Sequence, residues 1–266
     1  MKFRILILAL MLVAVASTQE VLAWTGVGHN VVAYMAEKHL TPEAKAKCQH
    51  YLKHNLPHYA LWQDSWRNID PFKDVATGHM SYVDKNLKIV GRNGDITFDA
   101  VTRLNKHINT LSNGNYRNLP DSIVALTLKL IIHTTGDMHC PCHVAYSADS
   151  GIRTAPIYVK GKKTWRHSFW DNAPKLMHPK WKADRFVEEY DTYTPKQIKK
   201  ICKGGPTQWG LQNAKRMIET NYYWGQGAIF EELSKEQRQQ IDDILHEQLS
   251  FASYRLAHIM NSIFVE

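Results

Sequence analysis

His133 and Asp137 stand four residues apart, and His143 follows after Met138-His139-Cys140-Pro141-Cys142. At that spacing on a helix an imidazole and a carboxylate share one face. The run before them, Ile123-Val124-Ala125-Leu126-Thr127-Leu128-Lys129-Leu130, is apolar and reads as a buried helix. Pro141 ends that helix, and a turn there brings His143 back. An imidazole and a carboxylate on a buried face are costly unless something pairs with them. A metal ion would do so; a His–Asp hydrogen bond inside a core is the plainer alternative. His167 and Asp171 repeat the same spacing, which weakens the case for coincidence.

His29, Asp64 and His79 complete a set of five histidines and three aspartates. Imidazole and carboxylate are the usual non-thiolate zinc ligands. The set exceeds the needs of one tetrahedral ion and suits two or three. A bridging carboxylate would hold two ions about 3.5–4 Å apart, as in many phosphoryl-transfer sites. His139-Cys140-Pro141-Cys142-His143 also has the look of a zinc knuckle, but no second Cys-x-x-Cys accompanies it.

The elements that position these residues are mostly helices. The first 23 residues stand apart: Lys2 and Arg4, an apolar run from Ile5 to Ala16, then Val21-Leu22-Ala23. They read as a signal peptide cut before Trp24, leaving residues 24–266 as a single domain that is exported to the periplasm or beyond. No other stretch approaches the ~20 apolar residues of a membrane span. Trp24-Thr25-Gly26-Val27-Gly28-His29 opens as a flexible loop, and an amphipathic helix follows from His29. Thr41-Pro42-Glu43 starts a helix running to about Leu56. His79 lies in a short extended segment, and Arg92-Asn93-Gly94-Asp95 is a turn. A helix spans Phe98 to Leu111, and Asp121 caps the central one. A loop of about 20 residues, holding Lys160-Gly161-Lys162-Lys163, follows His143. Thr194-Pro195-Lys196-Gln197 and Ser234-Lys235-Glu236-Gln237 are capping boxes, the second opening a long C-terminal helix. Strand signals are few. The fold class is all-α: one domain of about eight helices.

The formal charge is +8, of which the leader supplies +1. This favours a polyanionic partner such as nucleic acid or an anionic membrane surface. Export permits disulfides among Cys48, Cys140, Cys142 and Cys202, with three pairings open.

Taken together, these spacings resemble the secreted zinc-dependent single-strand nucleases and 3′-nucleotidases of the mung bean nuclease type, in a bacterial branch. Those enzymes are relatives of bacterial zinc phospholipase C. Trp24 with His29 five residues on, Trp62-x-Asp64, His79, His133-x-x-x-Asp137 with His143, and His167-x-x-x-Asp171 all match. Tyr254-Arg255-Leu256-Ala257, with Asn261 beyond, looks like the family's C-terminal helix. The resemblance implies three zinc ions in a trinuclear cleft. Asp64, His79, His133 and Asp137 would hold one; the Trp24 amine and carbonyl, His29 and Asp137 a second; His143, His167 and Asp171 the third. It implies a monomeric endonuclease acting on single-stranded RNA and DNA, with 3′-nucleotides as further substrates. A metal-activated water would attack phosphorus, and Arg67 would add a donor to the developing charge. A base would rest on Tyr82 and Asp84, although Met80-Ser81 shifts them two places from the family's pattern. Two other readings stay open: a phospholipase C-like lipid phosphodiesterase, and a non-catalytic zinc-stabilised binding protein.

Overall fold

The computed structural model describes residues 24–146, 155–219 and 227–265, so the expected leader lies outside the described residues. Ten α-helices form among them, in keeping with an all-α domain. They are α1 (Gly26–Lys38), α2 (Pro42–Leu52), α3 (Trp62–Trp66), α4 (Ala100–Leu111) and α5 (Asp121–His139), then α6 (Arg166–Met177), α7 (Ala183–Tyr190), α8 (Pro195–Ile201), α9 (Pro206–Glu219) and α10 (Lys235–Ile263). Four short strands accompany them: β1 (Ser81–Val83), β2 (Val144–Tyr146), β3 (Pro156–Val159) and β4 (Lys162–Trp165).

Helix α5 is the axis. From Leu130 to His139 every residue is buried, polar ones included. It packs against α4 on one side and α10 on another, and α1 lies along α10. The 29-residue α10 is buried along its length by Ile241, Leu245, Leu249, Leu256 and Ile263, a helical repeat. Its start is the expected capping box, Ser234 with Gln237, and α8 begins with the other, Thr194 with Gln197.

Several local expectations change, among them the loop of about 20 residues after His143, where β2, β3 and β4 form instead. α1 begins at Gly26, not after a flexible loop. Gly28 is needed because a Cβ there would stand 2.8 Å from the Trp24 Cβ; its absence lets the indole fold back and be fully buried. α2 stops at Leu52, where Lys53 takes a left-handed conformation (φ 67°), and a 3-10 turn covers Leu56–Tyr59. Asp121 sits inside the first turn of α5, whose cap position is Pro120; there its charge still complements the helix dipole.

The expected disulfides are also corrected. All four cysteines are buried thiols that stand outside any disulfide. Cys140 Sγ donates to Asp171 Oδ1 at 3.4 Å, and Cys202 Sγ to the Tyr254 carbonyl at 3.4 Å. Cys48 sits on α2 beside Glu37, where burial pushes its thiol up to about 12. Among the described residues no helix is long and apolar enough to cross a membrane.

Candidate metal centre

The site is built on α5 and on what is stitched to it. His133 and Asp137 occupy successive turns and are fully buried. His133 Nδ1 donates to the Ala60 carbonyl at 2.7 Å. A carbonyl only accepts, so that nitrogen carries a proton and Nε2 is the atom turned toward the carboxylates, the orientation of a metal ligand once its own proton leaves. His133 Nε2 lies 3.2 Å from Asp137 Oδ2 and 3.6 Å from Asp64 Oδ1.

Asp64 reaches the site from the short α3. Gln63 ties that helix to α5 by accepting from Thr134 Oγ1 at 3.0 Å. His79 comes from the segment entering β1; its Nδ1 stands 2.8 Å from Asp137 Oδ2 and 3.7 Å from Asp64 Oδ1. His29, on α1, brings Nε2 to 3.2 Å from Asp137 Oδ1 and stacks on the His133 ring, centroids 4.2 Å apart.

The third group lies beside these. β1 and β2 run parallel with Ser81 opposite Val144, so the chain before β1 lies next to the chain before β2. His143 Nδ1 donates to the His79 carbonyl at 3.0 Å, and Ser81 N donates to the His143 carbonyl at 2.8 Å. His143 Nε2 is thereby freed and points at His167 Nε2, 2.6 Å away, and at Asp171 Oδ1, 3.5 Å away. His167 and Asp171 share a face of α6, 3.7 Å apart. Thr25 N donates to the Asp171 carbonyl at 2.8 Å, which brings the Trp24 end of the described chain beside this group.

Electrostatically the site wants cations. Both Asp64 oxygens, Asp137 Oδ1 and the Nε2 atoms of His29 and His133 are buried without a hydrogen-bond partner, although several stand within 4 Å of one another. Leaving such acceptors unanswered is costly. In the metal-free protein protons answer part of it. Burial alone would lower His133, but Asp137 and Asp64 override it and hold it up to about 9. Burial would raise Asp137, yet His133, with help from His29 and His79, keeps it well below the usual carboxylate range. His29 is lowered, chiefly by burial. Burial pushes Asp171 up to about 6, against the pull of His143. Zinc takes its protein ligands from imidazole and carboxylate donors of this kind. The residues therefore fit divalent ions: His29, His133 and Asp137 form one convergent set, Asp64, His79 and His133 a second, and Cys140, His143 and Asp171 a third.

A cleft of about 650 Å³ opens over the site. Arg67, His79, His143 and His167 line it, with Tyr82, Arg92, Asn93, Asp95 and Phe98 around them. Arg67 Nη1 stands 3.8 Å from Asp64 Oδ1, so it faces the cleft and the Asp64 carboxylate together. Tyr82, expected to bind a base, lies on the cleft wall. Asp84 does not share that place: its carboxylate accepts from Asn86 N and Lys88 N, both at 2.9 Å, and holds the turn after β1.

Sequence reasoning missed two things here. Cys140 reads in the sequence only as a disulfide or knuckle cysteine; its signal is a position three residues before His143, at the end of α5. Phe98, 49% exposed, reads in the sequence as the start of a helix. Asp99 caps that helix instead, accepting from Thr102 N at 2.9 Å, and leaves Phe98 outside it on the cleft wall.

Comparison with known proteins agrees with this geometry. The sequence model of the S1/P1 nuclease family matches residues 24–265. Nuclease S1 of Aspergillus oryzae is 24% identical over 200 residues, covering 67% of each chain. Endonuclease 1 of Arabidopsis thaliana is 23% identical over an alignment of 296 residues, 97% of this chain and 93% of that protein. Endonuclease 2 of the same plant is 21% identical over 164 residues, 56% of this chain and 55% of its own. With the family's pattern running through the whole described domain and over all three ligand groups, the chain belongs to the S1/P1 nuclease family.

Proposed function

We propose that this protein is an exported, zinc-dependent phosphodiesterase that cuts single-stranded RNA and DNA, and that it also accepts 3′-nucleotides. The observation that carries the reading is the shared carboxylate of Asp137, whose two oxygens face His29 on one side and His79 with His133 on the other. A bridging acid between two sets of donors, with a third set adjoining, is the arrangement of a multi-metal phosphoryl-transfer site.

Three zinc ions are proposed. Asp64, His79, His133 and Asp137 would hold one, His29 and Asp137 with the Trp24 amine and carbonyl a second, and His143, His167 and Asp171 the third. When bound, such ions supply a water acidic enough to act near neutral pH and positive charge for the phosphate oxygens. The chain supplies the rest. His133 and His143 are aimed by the carbonyls of Ala60 and His79. Arg67, on the cleft wall, offers a further donor to a phosphate oxygen as charge builds there. Tyr82 and Phe98 give the cleft flat apolar surfaces on which a base of any identity stacks. The formal charge of +7 that residues 24–266 carry without the leader draws a polyanion toward the opening.

The Trp24 amine exists as a ligand only after cleavage in front of it, so removal of residues 1–23 on export is part of the proposal. The buried Trp24 side chain and the Thr25–Asp171 bond support it by holding that end beside the metal groups.

The test is metal analysis and a cleavage assay on protein starting at Trp24. Three zinc ions per chain, nucleotide release from denatured DNA and RNA, and loss of both with a chelator are expected. Zinc-loaded protein that released diacylglycerol from phospholipid and no nucleotides, or that bound strands without cutting them, would overturn the reading.

A further inference from the structure

The hairpin β3–β4 has two unlike faces. Its register pairs Ile157 with Thr164, Tyr158 with Lys163 and Pro156 with Trp165. Side chains alternate along a strand, so Ile157 and Thr164 share one face and Tyr158, Lys163 and Trp165 share the other. Ile157 is 2% exposed and Trp165 is 43% exposed, which fixes the second face as the outer one. On it the Lys163 ammonium lies over the Trp165 ring, 4.7 Å from the centroid.

The hairpin is also one-signed. Pro156-Ile157-Tyr158-Val159-Lys160-Gly161-Lys162-Lys163-Thr164-Trp165-Arg166 contains no acid. At its tip the Lys160 backbone N–H donates to the Glu231 carboxylate at 2.8 Å. Trp165 is the N-cap of α6, and His167, two residues on, lies in the cleft wall. Two residues span at most about 7 Å of chain. An exposed aromatic ring interleaved with lysines thus stands at the edge of the cleft that holds the metal groups.

We infer that this face is a strand-binding arm. It rests on the nuclease reading and goes beyond it: the substrate is engaged over several nucleotides, not only at the phosphate being cut. A base outside the cleft stacks on Trp165, and Lys163 on the same face, with the exposed Lys162 at the hairpin tip, meets the phosphates beside it. Aromatic stacking accepts any base, and lysine–phosphate contacts weaken with salt.

Chain length separates this from the chemistry. Wild type, Trp165→Ala, Trp165→Phe and the double variant Lys162→Ala/Lys163→Ala are each assayed on a dinucleotide and on a single strand of about twenty nucleotides, with zinc content measured for each. Trp165→Ala is expected to raise KM for the long strand about tenfold with kcat unchanged, and to leave the dinucleotide alone; Trp165→Phe restores most of the loss. The lysine variant is expected to flatten the salt dependence of KM on the long strand only. Unchanged kinetics on the long strand, or equal losses on both substrates, would overturn the arm while the nuclease reading stands. Should Trp165→Ala lose zinc, the lysine variant, whose changes lie away from the ligands, decides alone. A wild type that cleaved neither substrate would instead overturn the nuclease reading, and the arm with it.

Discussion

Asp137 Oδ1 faces His29 Nε2 at 3.2 Å, while the other oxygen of the same carboxylate is turned to His79 and His133. One side chain therefore serves donors from α1, α5 and the approach to β1. Asp137→Asn keeps the shape and removes the charge. It should strip the two ions proposed to share this residue, leave the one at His143, and lower the rate by more than about a hundredfold, with helix content by circular dichroism near normal. A full zinc count would remove Asp137 from its shared role.

Gly136 lies on α5 beside that carboxylate, and a Cβ there would meet His29 Nδ1 at 2.8 Å and Cε1 at 3.1 Å. Helix propensity favours Gly136→Ala by about 1 kcal/mol; the imidazole opposes it. The expected result is a His29 pushed out of line and an affinity for the most weakly held zinc lowered about tenfold, read by titration against a chelator. A rise in Tm with unaltered zinc affinity would show that the ring moves aside freely.

Zinc and protons should compete at His133. Its imidazole is held up to about 9, so the metal-free folded chain keeps that proton at neutral pH, and a ligating imidazole must be neutral. The sign follows: zinc binding expels protons at pH 7, and affinity climbs as pH rises toward 9. Calorimetry in two buffers of different ionisation enthalpy measures the number released. Identical heats in both would contradict the assignment.

Arg255 is a buried brace behind the site. It is 1% exposed and donates to His139 Nε2 at 2.8 Å, Gln212 Oε1 at 2.6 Å and the Ile201 carbonyl at 3.1 Å. Burial lowers its guanidinium to about 10. His139 Nδ1 is already given to the Thr135 carbonyl, so its Nε2 depends on Arg255. Arg255→Met should leave His139 and Gln212 unpaired and lower unfolding free energy by about 2–4 kcal/mol in urea titration. A loss below about 1 kcal/mol would mean that water or a neighbour takes over.

What could be read from the sequence was local. A His-x-x-x-Asp pair on a helix is a statement about one turn, so His133 with Asp137 and His167 with Asp171 declared themselves. The capping boxes at Thr194 and Ser234 did so for the same reason. What stayed hidden depends on distant partners. β1 and β2 are three residues each, too short for an alternation to register, and they join Ser81 to Val144 across the whole of α4 and α5. Two glycines near the start looked like freedom, whereas Gly28 is small because Trp24 presses on it. Asp84 looked available to a ligand, but its turn claims it. The cysteines looked oxidisable, but Cys140 and Cys202 are occupied by Asp171 and the Tyr254 carbonyl.

The parallel pairing of Ser81 with Val144 acts as a ruler. It sets how far the group around Asp137 stands from the group around Asp171, because His79 and His143 are the residues just outside its end. Adding or removing a single residue between His79 and Ser81 would slip the ladder and reverse every side chain on it. Tyr82 would turn from the cleft into the interior, and the His79 carbonyl would leave His143. Between those two positions the chain has no latitude in length, however freely its side chains are exchanged.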